Sequence, residues 1–303
     1  MFPKLKNQKI VVTGANGLIG SSICRYFELQ GFNFLAVSRS KNKFNFKNFI
    51  SIDLKIPKIL DDFLDNETIV FHCASNTDVA LSVSDPYADM QSNFLLFFEV
   101  IESVRRSNAS LFFMSTGSVY DHKFILPKNE ESYLNPVSPY SAGKLSAEHY
   151  CKAYAEIYGL DIKIARIFSI YGLGINRFVI HDLICRLSLK PAQIKIKGTG
   201  EEIRDFIHIS DLVEAICFIA EFGVSGEVYN VASGKSISVI DLVILIRDLM
   251  NYEELEIITD SKSFTGDNKA MIADIQKLEM LGFKHKKSFI SGLTELIEYK
   301  NND

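Results

Sequence analysis

The chain has 303 residues, 47% of them hydrophobic and 23% charged, with a formal net charge of −4. That is enough to bury a large core in one domain or two, and the acidic balance argues against a nucleic-acid partner or an anionic membrane surface. Five scattered cysteines without a C-x-x-C pair suit reduced thiols in a cytoplasmic protein; six histidines without ligand spacing point to no metal, and no apolar run is long enough to cross a bilayer.

In chain order, Lys9–Thr13 carries the β-branched run Ile10, Val11, Val12, expected as a strand buried on both faces. Gly14, Gly17 and Gly20 follow, then apolar positions at helical spacing: Leu18, Ile19, Ile23, Tyr26 and Phe27. Strand, glycine turn and helix together form the context of a dinucleotide site. Glycine lets backbone N–H groups approach a pyrophosphate, and the helix start adds unpaired donors and a positive dipole end. Gly14, Asn16, Gly17, Leu18, Ile19 and Gly20 are the expected contacts. The alternative is a glycine-rich turn with no ligand.

Phe34–Val37 reads as a second strand ending at Ser38-Arg39-Ser40, with no acid nearby. A carboxylate there would accept from the ribose 2′-OH of NAD, whereas a guanidinium pairs with a 2′-phosphate. NADP(H) held at Ser38 and Arg39 is therefore favoured over NAD(H); the bland reading is a surface arginine opening a loop. Phe49–Ile52 is a third strand closing at Asp53-Leu54, where Asp53 either meets an adenine amino group or caps the next segment. Thr68–His72 is a fourth, and the small residues Cys73, Ala74 and Ser75 would let the backbone lie against the cofactor. From Asp85-Pro86 a long helix is expected to Arg106, carrying Asn93 and an apolar face of Phe94, Phe97, Phe98 and Ile101. Strands alternating with helices predict an α/β, Rossmann-like, doubly wound parallel sheet.

A fifth strand, Leu111–Met114, delivers Ser115-Thr116-Gly117-Ser118 to its carboxyl end. Pro139 then opens a helix to Tyr158 on which Tyr140 and Lys144, four apart, share a face. Alone, such a pair reads as solvent-exposed; following a Ser/Thr cluster in a dinucleotide fold, it carries more.

Gly14-x-x-Gly17-x-x-Gly20, Thr116, Tyr140 and Lys144 together resemble the extended short-chain dehydrogenase/reductase family. Arg166-Ile-Phe-Ser-Ile-Tyr-Gly172 resembles its R-x-x-N-x-Y-G segment, with Ser169 for the usual Asn, and Arg204-Asp-Phe-Ile-His-Ile-Ser-Asp211 resembles a block of nucleotide-sugar epimerases, dehydratases and reductases. The resemblance implies a dinucleotide-binding domain over 1–168 plus about 206–232, and a smaller, partly discontinuous α/β nucleotide-sugar domain over about 169–205 and 233–303. It implies Thr116, Tyr140 and Lys144 as catalytic residues, with Tyr140 as acid/base. Because a free phenol titrates near pH 10, Lys144 would be needed to favour its ionised form. Asn93 and Ile167 join the cofactor contacts, and Thr77, Thr116, Ser118, Ser169 and Arg204 meet the nucleotide-diphosphate sugar.

Departures from the family narrow the expected reaction. Gly117 and Ser118 replace the Asp-Glu of 4,6-dehydratases, and Ser118 and Phe178 replace the Cys and His of GDP-fucose synthases. Phe264-Thr-Gly-Asp267 lacks the arginine of a second phosphate contact, for which Lys262 or Lys269 could substitute. The expectation is an NADP(H)-dependent reductase of a 4-keto-(6-deoxy)hexose; the alternatives are an NAD-dependent 4-epimerase and, more remotely, a non-catalytic dinucleotide sensor. A homodimer built on the 85–106 and 139–158 helices is expected, unless that aromatic face is buried against the protein's own sheet.

Overall fold

The computed structural model describes residues 2–121, 123, 127–252, 254–260 and 270–301. The first half runs α1 (Pro3–Lys6), β1 (Lys9–Thr13), α2 (Leu18–Gln30), β2 (Phe34–Ser38), β3 (Phe49–Ser51), β4 (Thr68–His72), α3 (Val79–Ser84), α4 (Pro86–Ser92), α5 (Phe94–Ser107), β5 (Ser110–Thr116), α6 (Pro139–Tyr158) and β6 (Ile162–Ile167). The second half runs β7 (Ser169–Tyr171), α7 (Phe178–Leu187), β8 (Gln193–Ile196), β9 (Ile203–His208), α8 (Ile209–Phe222), β10 (Val228–Val231), β11 (Ser236–Ser238), α9 (Val239–Leu249), β12 (Glu256–Thr259), β13 (Ala270–Met271), α10 (Gln276–Met280) and α11 (Phe289–Asn301).

Seven strands form one parallel sheet in the order β10-β6-β5-β4-β1-β2-β3. Its central strands are buried from end to end, as β4 and β6 are at every position, because helices cover both faces. On one face Phe27, Phe71, Phe112 and Tyr229 pack with α2 and α8; on the other Phe97, Val104, Phe113 and Cys151 pack with α5 and α6. Each such apolar side chain contributes about 1.5–3 kcal/mol on burial. Strand order reverses between β1 and β4, which opens a crevice beyond their carboxyl ends.

A second group of elements covers that crevice. β7, β9, β11 and β13 form a small mixed sheet and β8 pairs with β12, around a separate core that includes Leu183, Ile194, Leu242 and Leu293. The expected division near residue 205 falls inside β9, whose whole length belongs to the small sheet; the return to the large sheet begins with α8.

One other expectation changes. The long helix from Pro86 is broken into α4 and α5 at Asn93 (φ −117°, ψ −71°), because Asn93 turns its amide inward to bind the loop after β4. Lys284-His285-Lys286-Lys287 packs against α8: Asp211 accepts from the backbone of Lys286 (3.3 Å) and Lys287 (3.1 Å), and Lys286 pairs with Glu214. No helix among the described residues is long and apolar enough to cross a membrane.

Candidate active site

The glycine turn is a cradle that side chains would fill. A Cβ on Gly14, which has φ +67°, would lie 2.6 Å from the Ala74 nitrogen, and one on Gly20 would lie 2.3 Å from the Gly14 carbonyl oxygen. Gly17 caps α2 without a side-chain cap, leaving the helix start to whatever anion approaches. Asn16 braces this turn. Its amide donates to Ser40 Oγ (2.9 Å) and the Lys41 carbonyl (2.8 Å) and accepts from Lys43 N (3.1 Å), tying the glycine turn to the loop after β2. This arrangement fits a dinucleotide.

Ser38 ends β2 and the exposed Arg39 follows it, and Asp53 follows β3 beside them, accepting from Lys55 N (3.1 Å) in a local turn. Leu54 is buried in the core, so its side chain is unavailable to a ligand. Asn93 likewise has its amide fully occupied: it accepts from Ser75 Oγ (2.8 Å) and Asn76 N (2.7 Å) and donates to the Asn76 carbonyl (3.0 Å) and to Asp89 Oδ1 (2.7 Å). It shapes the loop that presents Cys73 and Ser75.

A cavity of about 220 Å³ joins the two groups of elements. Gly17, Leu18, Ile19 and Gly20 line it at one end, with Cys73, Ser75, Thr77, Thr116, Tyr140, Lys144 and Ile167 around its walls. Tyr140 and Lys144 are 7% and 6% exposed, which removes the solvent-exposed reading of the pair. Lys144 donates to the Met114 carbonyl (2.8 Å) and lies over the Phe113 ring (5.0 Å). Burial lowers its pKa to about 8, against smaller opposing effects of Cys73 and Asp89. Burial also pushes the Tyr140 phenol up to about 12, with Asp89 adding to the rise and Arg177 opposing it. Desolvation thus dominates the phenol here, where a lowering by Lys144 was expected.

Thr116 ends β5 at the cavity wall, its hydroxyl 3.0 Å from Ser118 Oγ and accepting from Ser118 N (3.2 Å). Gly117 lies against Met271 and Phe168; a Cβ there would meet both at 3.0 Å, so a side chain at that position would have to displace them slightly. Ser169 begins β7 opposite Phe206, and Arg204, half-buried on β9, pairs in register with Ile237 and Met271 beyond this cavity. Phe264–Asp267, Lys262 and Lys269 lie outside the described residues.

Behind the wall sits a polar core. Arg166 and Glu148, each with a side chain 2% exposed, pair at 2.7 Å. Glu148 accepts from Ser115 Oγ, and Arg166 donates to Tyr120 Oη (2.9 Å), whose hydroxyl in turn donates to Asn230 (2.7 Å). Glu148 is one turn past Lys144 and Ser115 precedes Thr116, so this network locks two site-bearing elements together. The spacing 140, 144, 148 was the available signal for Glu148. One further residue escaped the sequence reading. Arg177 donates to Thr77 Oγ1 (2.8 Å), and its guanidinium stacks on Phe178 (4.6 Å), a bulky residue held at φ +73°. Such a conformation costs about 1–3 kcal/mol. Nothing local in the sequence announces it.

A glycine cradle at a sheet's switch point, leading to a buried Tyr–Lys pair beside a threonine, defines a dinucleotide-dependent enzyme of the short-chain dehydrogenase/reductase type. The chain belongs to the NAD dependent epimerase/dehydratase family, whose model matches residues 10–232. It is 29% identical to a putative UDP-glucose 4-epimerase of Methanocaldococcus jannaschii, over 97% of this chain and 99% of that one. Its fold is similar to a UDP-N-acetylglucosamine 4-epimerase of Methanobrevibacter ruminantium solved with UDP-N-acetylmuramic acid (29% identity, TM-score 0.87, 98% and 99% of the two chains). It is also similar to MoeE5 solved with UDP-glucose and NAD (29% identity, TM-score 0.86, 97% and 99%).

Proposed function

We propose that the protein is a nucleotide-sugar 4-epimerase that uses NAD and acts on a UDP-hexose. One observation carries this reading: Tyr140, Lys144 and Thr116 line a single buried cavity with the glycine cradle, in a chain similar over almost its full length to 4-epimerases. Gly117 and Ser118 support it further, since neither can act as the acid of an elimination.

A bound nicotinamide would supply the site for reversible hydride storage. Tyr140 takes the proton of the sugar's C4 hydroxyl as that carbon is oxidised and returns it when the opposite face is reduced. Thr116 hydrogen-bonds the same oxygen and orients it. Lys144 contributes a buried positive charge beside the cofactor ribose, favouring ionised Tyr140 once the cavity is filled. Leu18, Ile19 and Gly20 would hold the cofactor pyrophosphate, Asp53 the adenosine, and Ser169 and Arg204 the nucleotide-sugar end. The division into a dinucleotide-binding and a sugar-binding part follows the two sheets. A homodimer would use the exposed residues Tyr87, Met90, Leu95 and Tyr150 on α4, α5 and α6.

A second reading has its own support. Arg39 is exposed where a 2′-phosphate would sit, with no acid next to it along β2 and its following loop, which favours NADP(H) and a 4-ketoreductase. One experiment separates the two. The protein is given UDP-hexoses without added reductant and, in parallel, 4-keto-6-deoxy nucleotide sugars with NADPH. C4 epimers in the first arm support the epimerase; NADPH oxidation in the second arm alone overturns it.

A further inference from the structure

Thr77, on the loop after β4, and Arg177, just before α7, belong to opposite sides of the crevice, yet Arg177 Nη2 donates to Thr77 Oγ1 at 2.8 Å. Both residues line the cavity that holds Tyr140 and Thr116. The guanidinium is seated on the Phe178 ring, 4.6 Å from its centroid, and Phe178 holds its left-handed backbone (φ +73°) at the first position of α7. A bulky residue keeps such a conformation only where its surroundings over-determine it. Thr77 from one side and the Phe178 turn from the other thus hold the exposed Arg177 guanidinium against the rim of the cavity.

We propose that Arg177 is a positioning residue for Tyr140: bridged to Thr77, it supplies the second positive charge of the catalytic cavity and poises the phenol for proton transfer from the sugar. The charged groups that face Tyr140 are Asp89 from α4, Lys144 from its own helix α6, and Arg177. Lys144 lies 6.0 Å from the Tyr140 ring centroid while donating to the Met114 carbonyl, and Asp89 opposes ionisation. Arg177 is therefore the group whose charge offsets Asp89. The hydroxyl of Thr77 engages one guanidinium nitrogen, and Arg177 shares the cavity lining with Tyr140 and Lys144.

The proposal rests on the proton-transfer role of Tyr140 given above, and the test keeps the two apart. kcat/KM of the wild type with its UDP-hexose is measured against pH, where activity rises as Tyr140 ionises. Arg177→Gln is expected to move that rise upward by about one pH unit, a roughly tenfold loss at any pH below it. Arg177→Lys, which keeps the charge, is expected to stay near the wild-type midpoint. Thr77→Val, which unties the guanidinium, moves it in the same direction as Arg177→Gln by less. Calorimetric titration with UDP checks that Arg177→Gln still binds nucleotide as the wild type does. An Arg177→Gln midpoint equal to wild type, with KM alone raised, overturns the proposal and leaves Arg177 a substrate contact. A wild type without turnover on any nucleotide sugar overturns the enzyme reading instead.

Discussion

Lys144 is the residue whose removal should help the fold and destroy the function. Its ammonium is buried, its pKa is lowered from 10.5 to about 8, and it donates to one carbonyl, that of Met114. Because the folded value lies below the unfolded one, the charged side chain costs stability at every pH below about 8. The cost shrinks as pH rises through 8 and is gone near 10.5. The shift of 10.5 − 8 = 2.5 units corresponds to about 3 kcal/mol. Lys144→Met keeps the length of the chain and removes that cost, but it loses the hydrogen bond to Met114, about 1 kcal/mol. It also takes from buried Asp89 a favourable neighbouring charge. The variant should be more stable than wild type at pH 7 by about 1–2 kcal/mol by this arithmetic, with the gap closing toward pH 10. Urea denaturation of both proteins at pH 7, 8.5 and 10 measures this, and kcat should fall by at least about a hundredfold. A variant less stable than wild type by a margin that does not change between pH 7 and 10 would refute the reasoning.

Arg166→Met should cost about 3–5 kcal/mol in the same assay, since it strands the Glu148 carboxylate in the core. Adding Glu148→Gln should recover part of that loss, and a double variant no better than the single would contradict the account of the pair. Gly20→Ala puts a Cβ against the Gly14 carbonyl and should weaken NAD binding by more than about tenfold in calorimetry. The control is Gly143→Ala in α6, where nothing lies within 4 Å; it should leave NAD binding intact and raise stability by about 0.5–1 kcal/mol. Under the NAD reading, Arg39→Ala leaves NAD affinity unchanged; a selective loss of NADP(H) binding would favour the reductase.

Much of the fold is written in local patterns. β-branched runs mark β1 and β4, and the glycines between β1 and α2 stand where backbone must approach backbone. What the chain hides depends on distant partners. The break at Asn93 follows from an amide that bonds a loop 17 residues earlier, so helical periodicity runs straight through it. The packing of 284–287 on α8 depends on Asp211, more than 70 residues away. At the site, Tyr140 and Lys144 were legible from spacing, but their titration was not: proximity on a helix suggested a lowered phenol, and burial raises it. Arg177 was illegible for a similar reason, since its meaning comes from Thr77 across the crevice and from a strained backbone that no composition signals. Asn16 and Asn93 are expected at the cofactor, and their amides bond the loops after β2 and β4. Residues with several donors and acceptors at a crowded loop are those for which sequence position says least about partner.

The central claim is that the cavity around Tyr140 inverts C4 of a nucleotide sugar without net reduction. It is tested most directly by proton NMR of UDP-glucose and UDP-N-acetylglucosamine incubated with the protein and a catalytic amount of NAD. The account predicts that the C4 epimer of at least one of them accumulates to an equilibrium ratio with no net change in NADH absorbance, and that Tyr140→Phe abolishes this. Epimer formation persisting undiminished in Tyr140→Phe, or no epimer alongside stoichiometric NADPH consumption with a 4-keto sugar, would contradict it.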